Sequence, residues 1–327
     1  MTPLNWQSLV AETLRRRKAE KMTQREHAAL ASVSIPTIAA FDRGERTLTL
    51  AKAFDILRVV GLVMEQEPSG AQETFVQEAF ARWRTLTARL DEKSPGRFPH
   101  GWYRFDYALD GDFKSPELSD LLSLIEKAEI RHTGWPMFVT MTRPEFEPRE
   151  QDGVLECWIA PGETGIERMT TDAAHCDFWR AAPSGRFLLM RGYQEDSQDG
   201  VPPGTIFDST LPIWRIGECL LHAARMAALV QKPDTPEITV KFRALYSGLT
   251  GRTVRSLRGG ADFLEAGRPA KSDEAILEAV VPAGRIETDL ASVVHPLVAS
   301  LYERFGISHI SAEFVRAEID RFRSGRF

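Results

Sequence analysis

The sequence predicts a multidomain chain, with a small all-α domain followed by a larger α+β domain. Its 327 residues exceed what one ordinary core holds. Charge divides unevenly: residues 1–63 carry ten Lys/Arg against six Asp/Glu (+4), and the remainder carries 31 against 40 (−9). Hydrophobic spacing also changes. It keeps a helical period through residue 62 and breaks into short mixed strands and helices beyond Lys93. The expected organisation is a first domain over 1–63, a linker and connector helix over 64–92, and an α+β domain over 93–327. "QKPDTPE" marks a subdivision near 232–236.

Composition narrows the function classes. With 43% hydrophobic and 27% charged residues, the chain reads as soluble and globular. Its longest apolar stretches, such as Ile56 to Met64, are broken by Arg58 and fall short of the roughly 20 residues a membrane span needs. Arg15-Arg16-Arg17-Lys18 precedes any long apolar run, so no signal peptide is expected. Three cysteines are an odd number and argue for a reducing, cytoplasmic setting without a disulfide framework. A basic head on an acidic body suits one module that meets a polyanion and another that does not.

The first helix is expected over Trp6 to Arg17, where Trp6, Leu9, Val10, Thr13 and Leu14 recur at 3- and 4-residue spacing. Thr23 starts a second as N-cap, with Glu26 completing a capping box. Ala28, Ala29 and Ala31 keep that helix slim. After the short turn Ser32-Val33, Ser34 caps a third helix, Ile35 to Arg43, with Pro36 tolerated in its first turn. Ile38 and Phe41 face inward, and Gly44 ends the helix where positive φ is needed. A fourth helix, about Leu50 to Leu62, is expected to turn Ala53, Phe54, Ile56, Leu57, Val60 and Leu62 toward the others.

The stretch "TQREHAALASVSIPTIAAFDRGERTLTLAKAFDILRVVGL" resembles the lambda-repressor-like, XRE-type helix-turn-helix family. Thr23-Gln24, Ala28, Val33-Ser34, Thr37-Ile38, Phe41-Asp42-Arg43-Gly44 and the Leu50 to Leu57 helix carry it, over about a fifth of the chain. "LAKAFDILRVVGL" is similar to the fourth helix of antitoxin-type regulators of that family. His27 stands where an apolar Leu is usual, and Ser32 replaces the usual turn Gly. The resemblance implies a dimeric regulator that reads two half-sites of double-stranded DNA with its third helix in the major groove. It places Ser34, Ile35, Pro36, Thr37 and Ala40 toward DNA, Gln24 and Arg25 at backbone or base, and Arg43, Arg46 and Thr47 near flanking phosphates. Gln24 alone among these has an amide able to pair bidentately with adenine. Asp42 is expected to be a local cap or an ion-pair partner of Arg46.

Beyond the linker "EQEPSGAQE", a helix over Thr74 to Leu90 carries Phe75, Ala79, Trp83, Leu86 and Leu90 at helical spacing, as a dimer or docking helix. Strands are expected at Trp102–Ala108, Pro136–Thr140, Leu155–Ala160, Arg186–Gly192, Glu237–Ala244 and Ala275–Val281. Helices are expected at Pro116–Glu129, Asp172–Trp179, Pro212–Gln231, Leu290–Phe305 and Ala312–Arg323, and an exposed connection at Glu195–Gly204.

No Walker loop, G-x-G-x-x-G, H-E-x-x-H or G-x-S-x-G is present, so no catalytic residues, metal or cofactor are assigned. His175, Cys176, Cys219 and His222 have no familiar zinc spacing, and buried free cysteine is the preferred reading. "RHTGWP", "DFWR", "LMRGY" and "PIWR" repeatedly place aromatic residues beside Arg. Such groups either build core or stack on a planar ligand while Arg holds an anion. The candidate effector pocket is therefore His132, Trp135, Trp179, Arg180, Arg191, Trp214 and Arg215. Three functions stay open: a DNA-binding repressor, homodimeric or a higher homo-oligomer, whose body senses a small-molecule or protein effector; an antitoxin-like protein that clamps a toxin; and an enzyme targeted to DNA by its head.

Overall fold

The computed structural model describes residues 5–31, 33–45, 47–62, 70–161, 172–257 and 268–325. The chain divides into two compact units, Met1–Gly70 and Ala71–Phe327. An all-helical N-terminal part precedes an α+β region, with ten α-helices and nine strands among the described residues.

The first unit contains α1 (Trp6–Ala19), α2 (Gln24–Leu30), α3 (Ile35–Asp42) and α4 (Leu50–Val59). Each start has a local cause. Asn5 caps α1, and Thr23 and Glu26 form the reciprocal capping box of α2. Ser34 caps α3 through the Thr37 amide, and Gly44 ends the segment at φ 74°. Val10, Ala28, Ala31, Ile38, Phe41, Ile56 and Leu57 form the core, and Trp6 meets Phe41 edge-on with ring centroids 5.3 Å apart. Phe54, expected inside, is 42% exposed. It lies one residue off the buried stripe of Ala53, Ile56, Leu57 and Val60, so helical geometry carries it to the flank.

Polar groups bind this core together. Arg17 on α1 donates twice to Asp42 at the end of α3, at 3.0 and 2.6 Å. Asp42 thus pairs with Arg17 across the fold, where the sequence suggests a local cap or Arg46; Arg46 lies outside the described residues. His27 on α2 is fully buried. Its Nδ1 is 3.5 Å from an Arg17 nitrogen that can only donate, so Nε2 carries the hydrogen given to the Ile56 carbonyl at 2.9 Å. Arg16 closes the end of α4 by donating to the Val60 and Gly61 carbonyls.

The second unit begins with α5 (Ala71–Thr87), which packs on a sheet of this same unit. The remaining elements are β1 (Trp102–Asp110), α6 (Leu118–Ala128), β2 (Arg149–Gln151), β3 (Val154–Ile159), β4 (Asp177–Ala182), β5 (Arg186–Gly192), β6 (Ile206–Asp208), α7 (Leu211–Val230), β7 (Thr239–Tyr246), β8 (Thr253–Arg255), β9 (Ala275–Pro282), α8 (Ala283–Thr288), α9 (Leu290–Glu303) and α10 (Ala312–Arg323). Seven strands form one antiparallel sheet in the order β2-β3-β4-β5-β1-β7-β9; β6 and β8 pair in parallel beside it.

Strand alternation sorts the sheet into two faces. Tyr103, Phe105, Tyr107, Trp179, Phe187, Leu189, Phe242 and Ala244 join the large core with α6 to α10. Their neighbours Phe178, Ala182, Leu188 and Met190 pack instead with Phe75, Val76 and Ala79 of α5. β4 and β5 are thus buried on both sides, with Asp177, Arg180 and Arg191 as their charged members. α7 is buried along nearly its whole length, with Arg215, Glu218 and His222 buried among its apolar residues. Gly217 on α7 admits α10, since a Cβ there would lie 3.3 Å from Ile319 Cδ1.

Two expected elements differ. Asp172–Trp179 is not a helix: Ala173–His175 make one helical turn and Asp177 begins β4. From Asp177 onward every residue of β4 is buried, and a short run buried on both faces does not distinguish strand from helix. Pro136–Thr140 is irregular, because its carbonyls bond to side chains; Arg191 takes Pro136 and Trp179 takes Val139. The stretch near 232–236 is a connection inside the second unit.

Removing either member of the Arg17–Asp42 pair is expected to destabilise the first unit by about 3 kcal/mol, because a buried charge loses its partner. Arg17→Met with Asp42→Leu should cost clearly less than the two single changes together. Hydrogen exchange of the α2 and α3 amides in the full chain measures this; additive losses would contradict it.

Candidate functional site

On the first unit, α2 and α3 present the residues assigned by resemblance. Ser34, Ile35 and Pro36 are exposed at the start of α3, while Thr37 and Ala40 are half-buried. Ile35 is 48% exposed, which is high for a large apolar side chain. The Ser34 and Thr37 hydroxyls share a hydrogen bond of 2.8 Å, so the first turn of α3 is ordered by its own polar groups. Gln24, Arg25, Arg43 and Thr47 are exposed, and Arg43 pairs with Glu45 at 2.7 Å. Gln24 donates its amide to Asp42 at 2.6 Å. The amide nitrogen keeps a second N–H, so this bond orients the group that would pair with adenine.

The second unit gathers a different set. Asp177 on β4 and Arg191 on β5 are direct cross-strand partners, and Arg191 Nε donates to Asp177 at 2.5 Å. The other Asp177 oxygen accepts from Trp135 Nε1 at 2.5 Å. Burial works against the charge on Arg191, but the Asp177 carboxylate outweighs it and raises its pKa. On α7, Arg215 donates to the Thr133 hydroxyl, the Trp135 carbonyl and Glu218 at 2.7, 2.8 and 3.2 Å. Arg191 also donates to the Pro136 carbonyl at 2.9 Å. Two buried guanidinium groups therefore hold the backbone of residues 133–136 against the sheet and α7.

Of the seven candidate effector residues, the structure brings Trp135, Arg191 and Arg215 together. The others go elsewhere. Trp179 fills the core and donates to Val139. Arg180 sits on the α5 side of the sheet, 3.3 Å from Glu156. Trp214 donates to Glu318 on α10 at 3.1 Å, and His132 meets Phe322 edge-on. Helical and strand geometry explain this: Arg180 and Trp214 are sequence neighbours of residues whose side chains point the other way.

Beside the paired arginines lies a cavity of about 20 Å³, lined by Tyr103, Tyr193, Tyr246, Glu195 and Leu211 among others. None of these belonged to the sequence-derived pocket. The tyrosines come from β1, the end of β5 and β7, strands far apart in sequence, so no local pattern joins them. Glu195, expected in an exposed connection, is only 3% exposed. Burial, with Asp208 nearby, pushes its carboxyl up to about 7. Gly192 allows the wall to close: a Cβ there would stand 2.3 Å from the Ala173 Cβ.

The four metal candidates do not converge into a site. Among the described residues, no group of three or more His, Cys, Asp or Glu side chains could hold a metal ion. His222 shares a hydrogen bond of 3.0 Å with Tyr107, and burial lowers its pKa to about 3. No helix among the described residues is long and apolar enough to cross a membrane.

No protein-family model matches this chain, and no curated protein or solved structure shows significant similarity to it.

Glu195 gives a pH test. Its folded-state pKa is raised from 4.5 to about 7, so the folded chain keeps a proton that the unfolded chain releases in that window. Stability from this group is greatest below the lower value and falls as pH climbs through 7. Glu195→Gln should exceed the wild type by about 3 kcal/mol at pH 8 and match it near pH 4.5. Urea unfolding at both pH values reads the difference; equal stability at pH 8 would contradict the assignment.

Proposed function

We propose that the chain is a sequence-specific DNA-binding transcriptional regulator, a repressor acting as a homodimer or higher homo-oligomer. Its first unit meets double-stranded DNA, and its second senses an effector or mediates oligomerisation. The supporting observation is the α2–turn–α3 pair. Its third helix starts with an exposed Ser34-Ile35-Pro36 step, and Gln24 and Arg25 stand exposed at the start of α2. A helix pair of this kind sets the N-terminal residues of its second helix against base edges. Ile35 offers an apolar contact for a thymine methyl, and Arg25 and Arg43 offer charge to phosphates. The modest basicity of the segment makes the backbone contribution small, so fit in the groove carries much of the recognition. In this reading the chain performs no catalytic step.

Gel shifts across a salt series test the proposal. Arg25→Ala with Arg43→Ala should weaken binding to all duplexes and reduce the salt slope by about 2. Ile35→Ser should weaken binding to a preferred duplex while sparing unrelated sequences. Binding and slope unchanged in the double variant would contradict the proposed docking.

A further inference from the structure

We propose that His27 is a pH switch on the first unit: a second proton on its ring loosens α2 and α3 and ends their hold on duplex DNA. The hold on DNA rests on the reading of the chain as a regulator; the switch is read from the packing of the first unit.

The packing suits a neutral ring alone. His27 is fully buried on α2, and its Nε2 donates to the Ile56 carbonyl of α4 at 2.9 Å. The Val60 amide, four residues beyond that carbonyl, goes to Arg58 instead, so the ring stands in for a helix bond at the end of α4. The other nitrogen, Nδ1, is 3.5 Å from Arg17 Nη1, which can only donate. A neutral ring offers a hydrogen to the carbonyl and a lone pair to the guanidinium. A charged ring turns Nδ1–H on Arg17, donor against donor and cation against cation.

Asp42, the carboxylate that faces the ring from α3, is already engaged. One oxygen accepts from Arg17 at 3.0 Å; the other accepts from Arg17 and from Gln24, both at 2.6 Å. To take a charged His27 as well, Asp42 has to give up part of this set. Releasing Arg17 unties α1 from α3, and releasing Gln24 unties α2 from α3. Of the other neighbours, α4 presents the Ile56 carbonyl, and Glu26 on α2 is turned to the Thr23 cap. Burial lowers the His27 pKa below the usual histidine value; the Ile56 bond works against this, Arg17 adds to it and Asp42 opposes it. Gln24 stands at the exposed start of α2, so a change at Asp42 reaches the face proposed to meet DNA.

The lowered pKa sets the sign. An opened first unit takes up a proton below about pH 6.5 that the closed unit resists, so closure is firmest above that pH and weakens below it. Ordinary carboxyls stay ionised down to about pH 5, and His27 is the one histidine in residues 1–63. Glu195, in the second unit, has the opposite sign and firms that unit as pH falls.

Hydrogen exchange of the α2, α3 and α4 amides in the full chain, corrected for the intrinsic pH dependence of exchange, tests the switch. Opening should rise severalfold between pH 7.5 and 5.5, with about tenfold as the ceiling for one proton. His27→Gln keeps a donor and an acceptor but does not titrate, so its opening should stay level. His27→Leu should also stay level and decides the matter should the Gln variant not fold. Gel shifts on the same proteins should show wild-type affinity at pH 5.0 weaker by about threefold or more than at pH 7.5, with His27→Gln unchanged or tighter. Opening that is level in the wild type, or that rises equally in both variants, would overturn the switch. So would duplex binding undiminished at pH 5.0, which leaves the regulator standing. His27-dependent opening in a chain that binds no duplex at any pH supports the switch and overturns the regulator.

Discussion

A guanidinium withdrawn from water must be paired, and both units are organised by that requirement. In the first, Arg17 reaches from α1 to Asp42 at the end of α3, with His27 and Gln24 of α2 attached to the same pair. In the second, Arg191 lies across the sheet from Asp177, and Arg215 lies beside Glu218. Desolvation would make each charge prohibitive alone. Paired, each fixes a geometry that apolar packing leaves freer: the angle of α3 in one case, the path of residues 133–136 in the other.

The consequence for the first unit is an α2–α3 pair held from within, with Ile35 and Pro36 left exposed on its outward face. Ser34, Ile35 and Pro36 contribute little to the core, which belongs to Ile38 and Phe41 on the opposite side of α3. Asp42 has a dual position, since it anchors Arg17 and also holds the Gln24 amide. A residue proposed to meet DNA is thereby tied to the pair that holds the helices. Contact with a base at Gln24 would be felt at Asp42.

Much of this was legible from spacing and caps. The capping box at Thr23 and Glu26, the Ser34 cap and the Gly44 stop are local, so a single sequence displays them. β5 and α10 fall at Arg186–Gly192 and Ala312–Arg323 as the pattern predicts. β4 was hidden because burial on both faces erases alternation. The three-residue strands β2, β6 and β8 are too short to carry a period. The candidate site was legible in part: Arg–aromatic proximity found Trp135, Arg191 and Arg215, and could not separate them from Trp179 or Trp214. Tyr103, Tyr193 and Tyr246 needed the sheet order, and Asp177 needed the β4–β5 register that sets it opposite Arg191.

The central claim is that the exposed start of α3 reads a sequence in duplex DNA. Selection of bound fragments from a random duplex library by the full chain tests it most directly. The account predicts enrichment of a defined sequence in two half-sites, with centres about one helical turn or a multiple of it apart. Recovery of fragments with no enriched sequence, or of no duplex at all, would contradict it.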